Sequence, residues 1–156
     1  LDKDIDRITR AVTEPGQMFE LTEVTRRGVT MPAFKNAPPS VAHYFAHFCN
    51  EKKDELFIVD GEMRLTFGEV WGAASHVAHS LATEHGIAKG DRVGIAARNS
   101  ANWIIAYMGI LMAGGCATLL NGWWTGEELA YGIDLCECKL VLADAQRAER
   151  LDGVKH

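Results

Sequence analysis

The stretch RVGIAARNSANWIIAYMGILMAGGCATLL, Arg92 to Leu120, decides the fold. It opens with Arg92-Val93-Gly94-Ile95-Ala96-Ala97, a short apolar run behind a Gly90-Asp91 turn, which reads as a buried strand. Ser100 is placed to cap a helix that runs to Gly114-Gly115. Cys116 to Leu120 is a second apolar run and reads as a second strand. A strand, a helix and a strand in so short a span describe a parallel pair with a crossover.

The helix between the two strands is apolar on every side, through Trp103, Ile104, Ile105, Tyr107, Met108, Ile110, Leu111 and Met112. A surface helix needs one apolar stripe, so this one requires cover on both sides. A parallel sheet supplies one cover. The other requires a further layer, for which the chain has little material left. The expectation is that the isolated chain either self-associates or buries this helix with its N-terminal segment.

Working outward, Thr125 and Glu128 form a capping box for a helix with Leu129 and Ile133 on its inner face, and Leu140-Val141-Leu142-Ala143 is a third strand. Upstream, Thr66 and Glu69 form another capping box. That helix carries Phe67, Val70, Trp71, Ala74, Val77, Ala78 and Leu81 at spacings of three and four, and Gly86 stops it. Leu56-Phe57-Ile58-Val59 and Arg64-Leu65-Thr66 flank Asp60-Gly61 and predict a hairpin. Ser40 precedes a helix with a Val41, Tyr44, Phe45 and Phe48 stripe. Ile5, Ile8 and Val12 mark a first helix, stopped by Pro15-Gly16, and residues 19–35 form a hairpin or a lasso around Arg26-Arg27-Gly28.

Together these elements predict an α/β fold: a three-layer, parallel-sheet unit over residues 40–156, with an extra N-terminal helix and extended hairpin segment over residues 1–39. Alternation of strand and helix gives right-handed crossovers.

Composition narrows the function classes. Over 156 residues, 47% are hydrophobic and 24% charged, with a formal net charge of −5. Scattered basic residues and a net negative charge argue against a nucleic-acid surface. The pairs Arg26-Arg27 and Lys52-Lys53 read as solvated surface. Residues 99–126 lack charge, but Gly114-Gly115 interrupts them, so a buried helix and strand fit better than a membrane span. The opening Leu1-Asp2-Lys3-Asp4 does not resemble a signal peptide. Four cysteines, Cys49, Cys116, Cys136 and Cys138, make no zinc set and read as reduced thiols, which predicts a cytoplasmic setting; Cys116 is expected to be buried.

Several pieces, in order, resemble the start of an adenylate-forming (AMP-binding) enzyme. Leu65-Thr66-Phe67-Gly68-Glu69-Val70 is similar to the first core motif of that superfamily. The run from Gly90 to Ser100 resembles the strand and cap that follow, and Leu111 to Asn121 resembles the second core motif. Thr125 to Leu129 and Lys139 to Asp144 fall where the family has related segments. The resemblance spans Ser40 to Asp152.

The resemblance implies an enzyme that joins a carboxylic acid to AMP from ATP, with magnesium, and then passes the acyl group to coenzyme A or another acceptor. It places the phosphate-binding loop and the assisting lysine beyond His156, so no catalytic residue and no metal ligand is assigned here. The 156-residue chain alone is expected to be inactive, and its first partner is the remainder of its own enzyme. Gly90-Asp91 is not the ribose-binding pair, because it precedes the first parallel strand.

Asn121-Gly122-Trp123-Trp124 departs from the family pattern. Asn121 favours the acyl-CoA synthetase branch over amino-acid activation, while Gly122 stands where proline is usual. In some CoA ligases this loop lies near the entry for CoA, so Asn121, Trp123 and Trp124 are the candidate substrate-binding residues, with an indole able to stack on adenine. The favoured reading of the two tryptophans is that both pack against a neighbouring domain, since aromatics dominate interfaces. His43 and His47 have helical metal spacing, but no acid or third ligand is expected beside them, and they read as surface, as do His76 and His79. The rival readings of the whole chain are a stand-alone Rossmann-like binding domain and an assembly module without catalysis.

Overall fold

The structure is a computed structural model and describes residues 2–154; Leu1, Lys155 and His156, which bound the two predicted segments, lie outside the described residues. The chain divides into two compact units, Leu1–Ser40 and Val41–His156.

The first unit holds α1 (Asp2–Thr13) and a hairpin of β1 (Leu21–Arg26) and β2 (Val29–Phe34). Arg26 pairs with Val29, so Arg27 and Gly28 form the whole loop. Both have positive φ, 52° and 81°, as a two-residue hairpin turn requires. Of the two alternatives for residues 19–35, the hairpin is the one formed. Lys35 closes its base with a 2.7 Å bond to Glu20. Ile5, Ile8 and Val12 are 52%, 59% and 40% exposed, so this face of α1 remains open.

The second unit begins with α2 (Val41–Glu51) and a hairpin of β3 (Leu56–Asp60) and β4 (Met63–Thr66). The predicted α2 stripe is rotated from the true one. Cys49 is buried and Phe45 packs beside it, whereas Val41 and Tyr44 are about half exposed. The small side chains Ala42 and Ala46 share the inward face with Phe45 and Cys49 at helical spacing, and Tyr44 instead contacts Phe48 edge-on at 4.8 Å. The hairpin turn also shifts by a residue. Asp60 pairs with Met63, which leaves Gly61 and Glu62 as the turn. The Asp60 carboxylate accepts the Ala101 amide at 2.9 Å, so it serves the start of a distant helix.

Next come α3 (Phe67–Thr83), β5 (Arg92–Ala96), α4 (Ala101–Met112), β6 (Cys116–Leu119), α5 (Gly126–Leu135), β7 (Leu140–Ala143) and α6 (Ala145–Asp152). The expected caps form: Thr66 and Glu69 box the start of α3, Thr125 and Glu128 that of α5, and Ser100 accepts the Trp103 amide at 3.2 Å. In the parallel sheet the order is β6-β5-β7. Arg92 pairs with Cys116, and Val93 with Leu140.

β5 is covered on both faces. Val93 and Ile95 pack with Ile110 of α4, while Ala96 packs with Leu129 of α5 on the other side. Helices on both faces of the sheet make the predicted three layers.

The second cover for α4 comes from within the unit, contrary to the expectation that too little chain remained. Met108 is fully buried against Cys49 of α2 and Val70 and Ala74 of α3. Only Asn102 of α4 is exposed. Gly109 makes the close approach possible: a Cβ there would lie 2.6 Å from Val77 Cγ1.

Cys116, expected to be buried, is exposed. It starts β6, which among the described residues has a strand on one side only, so its flank stays open. The buried thiol is Cys49 of α2, and its burial pushes its pKa up. His47 pairs with Glu51 at 3.4 Å, so an acid does accompany it, contrary to expectation, because Glu51 lies one helical turn further along α2. Among the described residues, no group of three or more His, Cys, Asp or Glu side chains is arranged to hold a metal ion. Among the same residues, no helix is long and apolar enough to cross a membrane.

Candidate functional site

Strand order dictates where a ligand can lie. β5 leads into α4 on one face of the sheet, and β6 leads into α5 on the opposite face. Adjacent parallel strands whose connections part in this way leave a crevice at their carboxyl ends, the usual ligand position in such sheets. A cleft of about 440 Å³ occupies that point. One wall is Ala97, Arg98 and Asn99 after β5; the other is Asn121, Gly122 and Trp123 after β6.

Two side chains face each other across the mouth. The Arg98 guanidinium carbon lies 4.8 Å from the centre of the Trp123 ring, a cation–π contact. Trp123 is 74% exposed. Among the described residues, the Arg98 side chain makes no ion pair. The pair therefore offers a flat aromatic face beside an unneutralised positive charge, which suits a planar base carrying phosphate.

The three predicted substrate-binding residues separate. Asn121 and Trp123 line the cleft. Asn121 also shapes its own loop: its side-chain oxygen accepts the Trp123 amide at 3.0 Å, and its carbonyl accepts the Trp124 amide at 3.0 Å. Trp124 turns away, into the cluster of Leu120 and Leu129 beneath α5. There it packs so tightly that a Cβ on Gly132 would lie 2.7 Å from its ring.

The sequence reading missed the residues that hold this loop. Asp144 caps α6 through a bond from the Arg147 amide at 3.0 Å, and its other oxygen accepts the Arg98 amide at 3.0 Å. Arg147 is 2% exposed and donates its Nε to the Gly122 carbonyl at 2.6 Å, with Nη2 on the same oxygen. Its Nη1 bonds Asp144 at 3.1 Å. Arg150 donates to the Trp124 carbonyl at 2.7 Å. Desolvation works against a charged Asp144, but the amides of Arg98 and Arg147 and the Arg147 guanidinium outweigh it and hold its pKa below the ordinary value. The available signal was the spacing itself: an aspartate just after a strand, with arginine three residues on, is an N-cap with a partner.

Gly122, where the family pattern has proline, lies against β5. A Cβ there would meet the Ala97 carbonyl oxygen at 3.0 Å and Arg147 Nε at 3.5 Å. The loop thus rests on the end of the central strand, with backbone against backbone.

Asp91, set aside as a ribose ligand, is engaged elsewhere. It accepts the Lys139 ammonium at 2.7 Å and the Ala88 amide at 2.8 Å.

The sequence profile described as "AMP-binding enzyme" matches residues 45–156. The chain belongs to the AMP-binding enzyme family. Among the curated relatives, it is 29% identical over 142 residues to the medium/long-chain-fatty-acid–CoA ligase FadD6 of Mycobacterium tuberculosis, covering 90% of this chain and 23% of that protein. It is also 29% identical over 115 residues to a medium/long-chain-fatty-acid–CoA/3-oxocholest-4-en-26-oate–CoA ligase of Mycobacterium marinum, covering 74% of this chain and 21% of the relative. A nonribosomal peptide synthetase, sirP of Leptosphaeria maculans, also matches, at 24% identity over 148 residues, covering 92% of this chain and 7% of that protein. Among solved structures, the N-terminal domain of FACL13 from Mycobacterium tuberculosis superposes with a TM-score of 0.70 at 22% identity, covering 75% of this chain and 30% of that one. The AMP-binding fold is thus shown, and this chain spans less than a quarter of the length of the two fatty-acid–CoA ligases. Its three-stranded sheet, caps and cleft are the part of an AMP-binding enzyme that these residues build.

Proposed function

We propose that this chain is the N-terminal portion of an ATP-dependent acyl-CoA synthetase, an acid–thiol ligase that adenylates a carboxylic acid and transfers the acyl group to CoA. Support comes from the family membership and from the fatty-acid–CoA ligases among its relatives. The observation that carries a CoA role for these residues is the Arg98–Trp123 pair at the mouth of the cleft. In this reading Trp123 stacks on the adenine of CoA, Arg98 meets its phosphates, and Asn121 keeps the loop in shape.

ATP, magnesium and the acid bind elsewhere in this reading. The chain has no glycine- and serine-rich phosphate loop, and stabilising a transferring phosphoryl group requires such donors. The 156 residues alone are therefore catalytically inactive, and their partner is the remainder of the enzyme, in the cytoplasm.

Kinetics of the enzyme containing this chain test the reading. Trp123→Ala raises the KM for CoA by about ten-fold, the scale of a lost base-stacking contact, and leaves the KM values for ATP and acid in place. An unchanged KM for CoA removes the portal.

A second reading, an assembly module, draws on a different observation. Leu119, Tyr131 and Leu135 are 54%, 68% and 68% exposed along a groove between β6 and α5. In the first reading this groove is covered by the remainder of the enzyme; in the isolated chain it drives self-association.

A further inference from the structure

We propose that Arg147 is a positioning residue for the cleft: it pins the Gly122 carbonyl and so keeps Trp123 over Arg98. This rests on the reading of the cleft as the CoA site for its ligand, but the pinning stands on geometry alone.

A buried guanidinium is costly unless its donors are satisfied. Arg147 is 2% exposed, and its donors all point to one task. Nε and Nη2 converge on a single oxygen, that of Gly122. Nη1 is held by Asp144 at 3.1 Å and by Gln146 at 3.1 Å. The group is therefore fixed at one end by its own helix cap and at the other by the loop that carries Trp123.

Asp144 makes the arrangement symmetrical about the cleft. One of its oxygens accepts the Arg98 amide at 3.0 Å, so the wall after β5 is tied to the same carboxylate. The other wall is tied to it through Arg147. Relative movement of the two walls must break one of these charge-assisted bonds. Arg150 adds a grip two residues beyond Gly122, at the Trp124 carbonyl. No part of this set reaches the open face of the Trp123 ring, which leaves that face available to a ligand. Loop 121–124 is thus held from behind.

Lysine at position 147 keeps the charge but cannot present two donors to one carbonyl together with a third to Asp144. Arg147→Lys is therefore the informative variant. Amide hydrogen exchange of residues 121–124 should quicken by about ten-fold or more, as expected for a lost hydrogen bond from a charged group. The amides of Val93 and Ile95 in β5 should keep their protection. In the enzyme containing this chain, the KM for CoA should rise while the rate of adenylate formation from acid and ATP holds. If Arg147→Lys does not fold, Asp144→Asn, which retains Arg147 and weakens its anchor, should show the same selective exchange.

Unchanged exchange at residues 121–124 overturns the proposal. Equal acceleration across the sheet also overturns it, because the role is then merely structural. If Trp123→Ala leaves the KM for CoA unchanged while Arg147→Lys still frees the loop, the pin stands and the CoA reading falls.

Discussion

Gly109 of α4 and Val77 of α3 are in backbone-limited contact: a Cβ at Gly109 would sit 2.6 Å from Val77 Cγ1 and 3.1 Å from the Ala74 carbonyl oxygen. No room exists for a methyl group unless the two helices separate. Gly109→Ala should therefore destabilise the second unit by about 1–3 kcal/mol, the usual scale of overpacking, despite alanine's better helix propensity. Adding Val77→Ala should recover part of that loss. Denaturant titration of the single and double variants reads both effects, and a neutral Gly109→Ala would contradict the packing.

Trp124 and Trp123 should respond unequally to truncation. Trp124 packs with Leu120 and Leu129, so Trp124→Ala should cost about 2–3 kcal/mol, less than the roughly 3–5 kcal/mol of a fully buried large aromatic because the indole is half-buried. Trp123 is largely exposed, so Trp123→Ala should shift stability by less than about 0.5 kcal/mol. Thermal melts of the two variants make the comparison.

Acid should loosen the cleft through Asp144. Its folded-state pKa is depressed, so its contribution is present above the ordinary carboxylate range and is lost as pH falls through the depressed value. Asp144→Asn should lower stability at neutral pH by roughly 1–3 kcal/mol, moderated by the partial exposure of the carboxylate. The variant should also show a shallower loss of stability toward low pH. It keeps a residual slope, because Glu69 and Asp91 are likewise depressed by hydrogen bonds, from Thr66 and Lys139 respectively. Urea titrations at neutral and acid pH test the difference.

The isolated chain should release no pyrophosphate when given ATP and a panel of carboxylic acids. In sedimentation, its association should strengthen with concentration, and Tyr131→Glu with Leu135→Glu should weaken it. A monomer at every concentration would remove the proposed role of the groove between β6 and α5.

Much of the scaffold was legible because it is written in local signals. The capping boxes at Thr66 and Thr125 fix where helices begin, and apolar runs at Arg92 and Leu140 mark strands. Tertiary facts were not legible. Cys116 sits in an apolar run yet is exposed, because hydropathy does not reveal which strand lies at a flank. The α2 stripe was misplaced because large residues such as Tyr44 outweighed the small Ala42 and Ala46. Half of the cleft could be read in advance: Asn121 and Trp123 came from the resemblance, whereas Arg98 is contributed by the end of a different strand. Asp144, Arg147 and Arg150 act across intervals of 25 residues or more, beyond the reach of any periodic pattern.

The order of strands in the sheet has a bearing on how the chain is made. The middle strand, β5, precedes both of its neighbours in sequence. As synthesis proceeds from the N-terminus, β6 and later β7 each meet a free side of a strand already emerged. Neither has to wedge between partners that have closed on one another, so assembly of the sheet can keep pace with the ribosome.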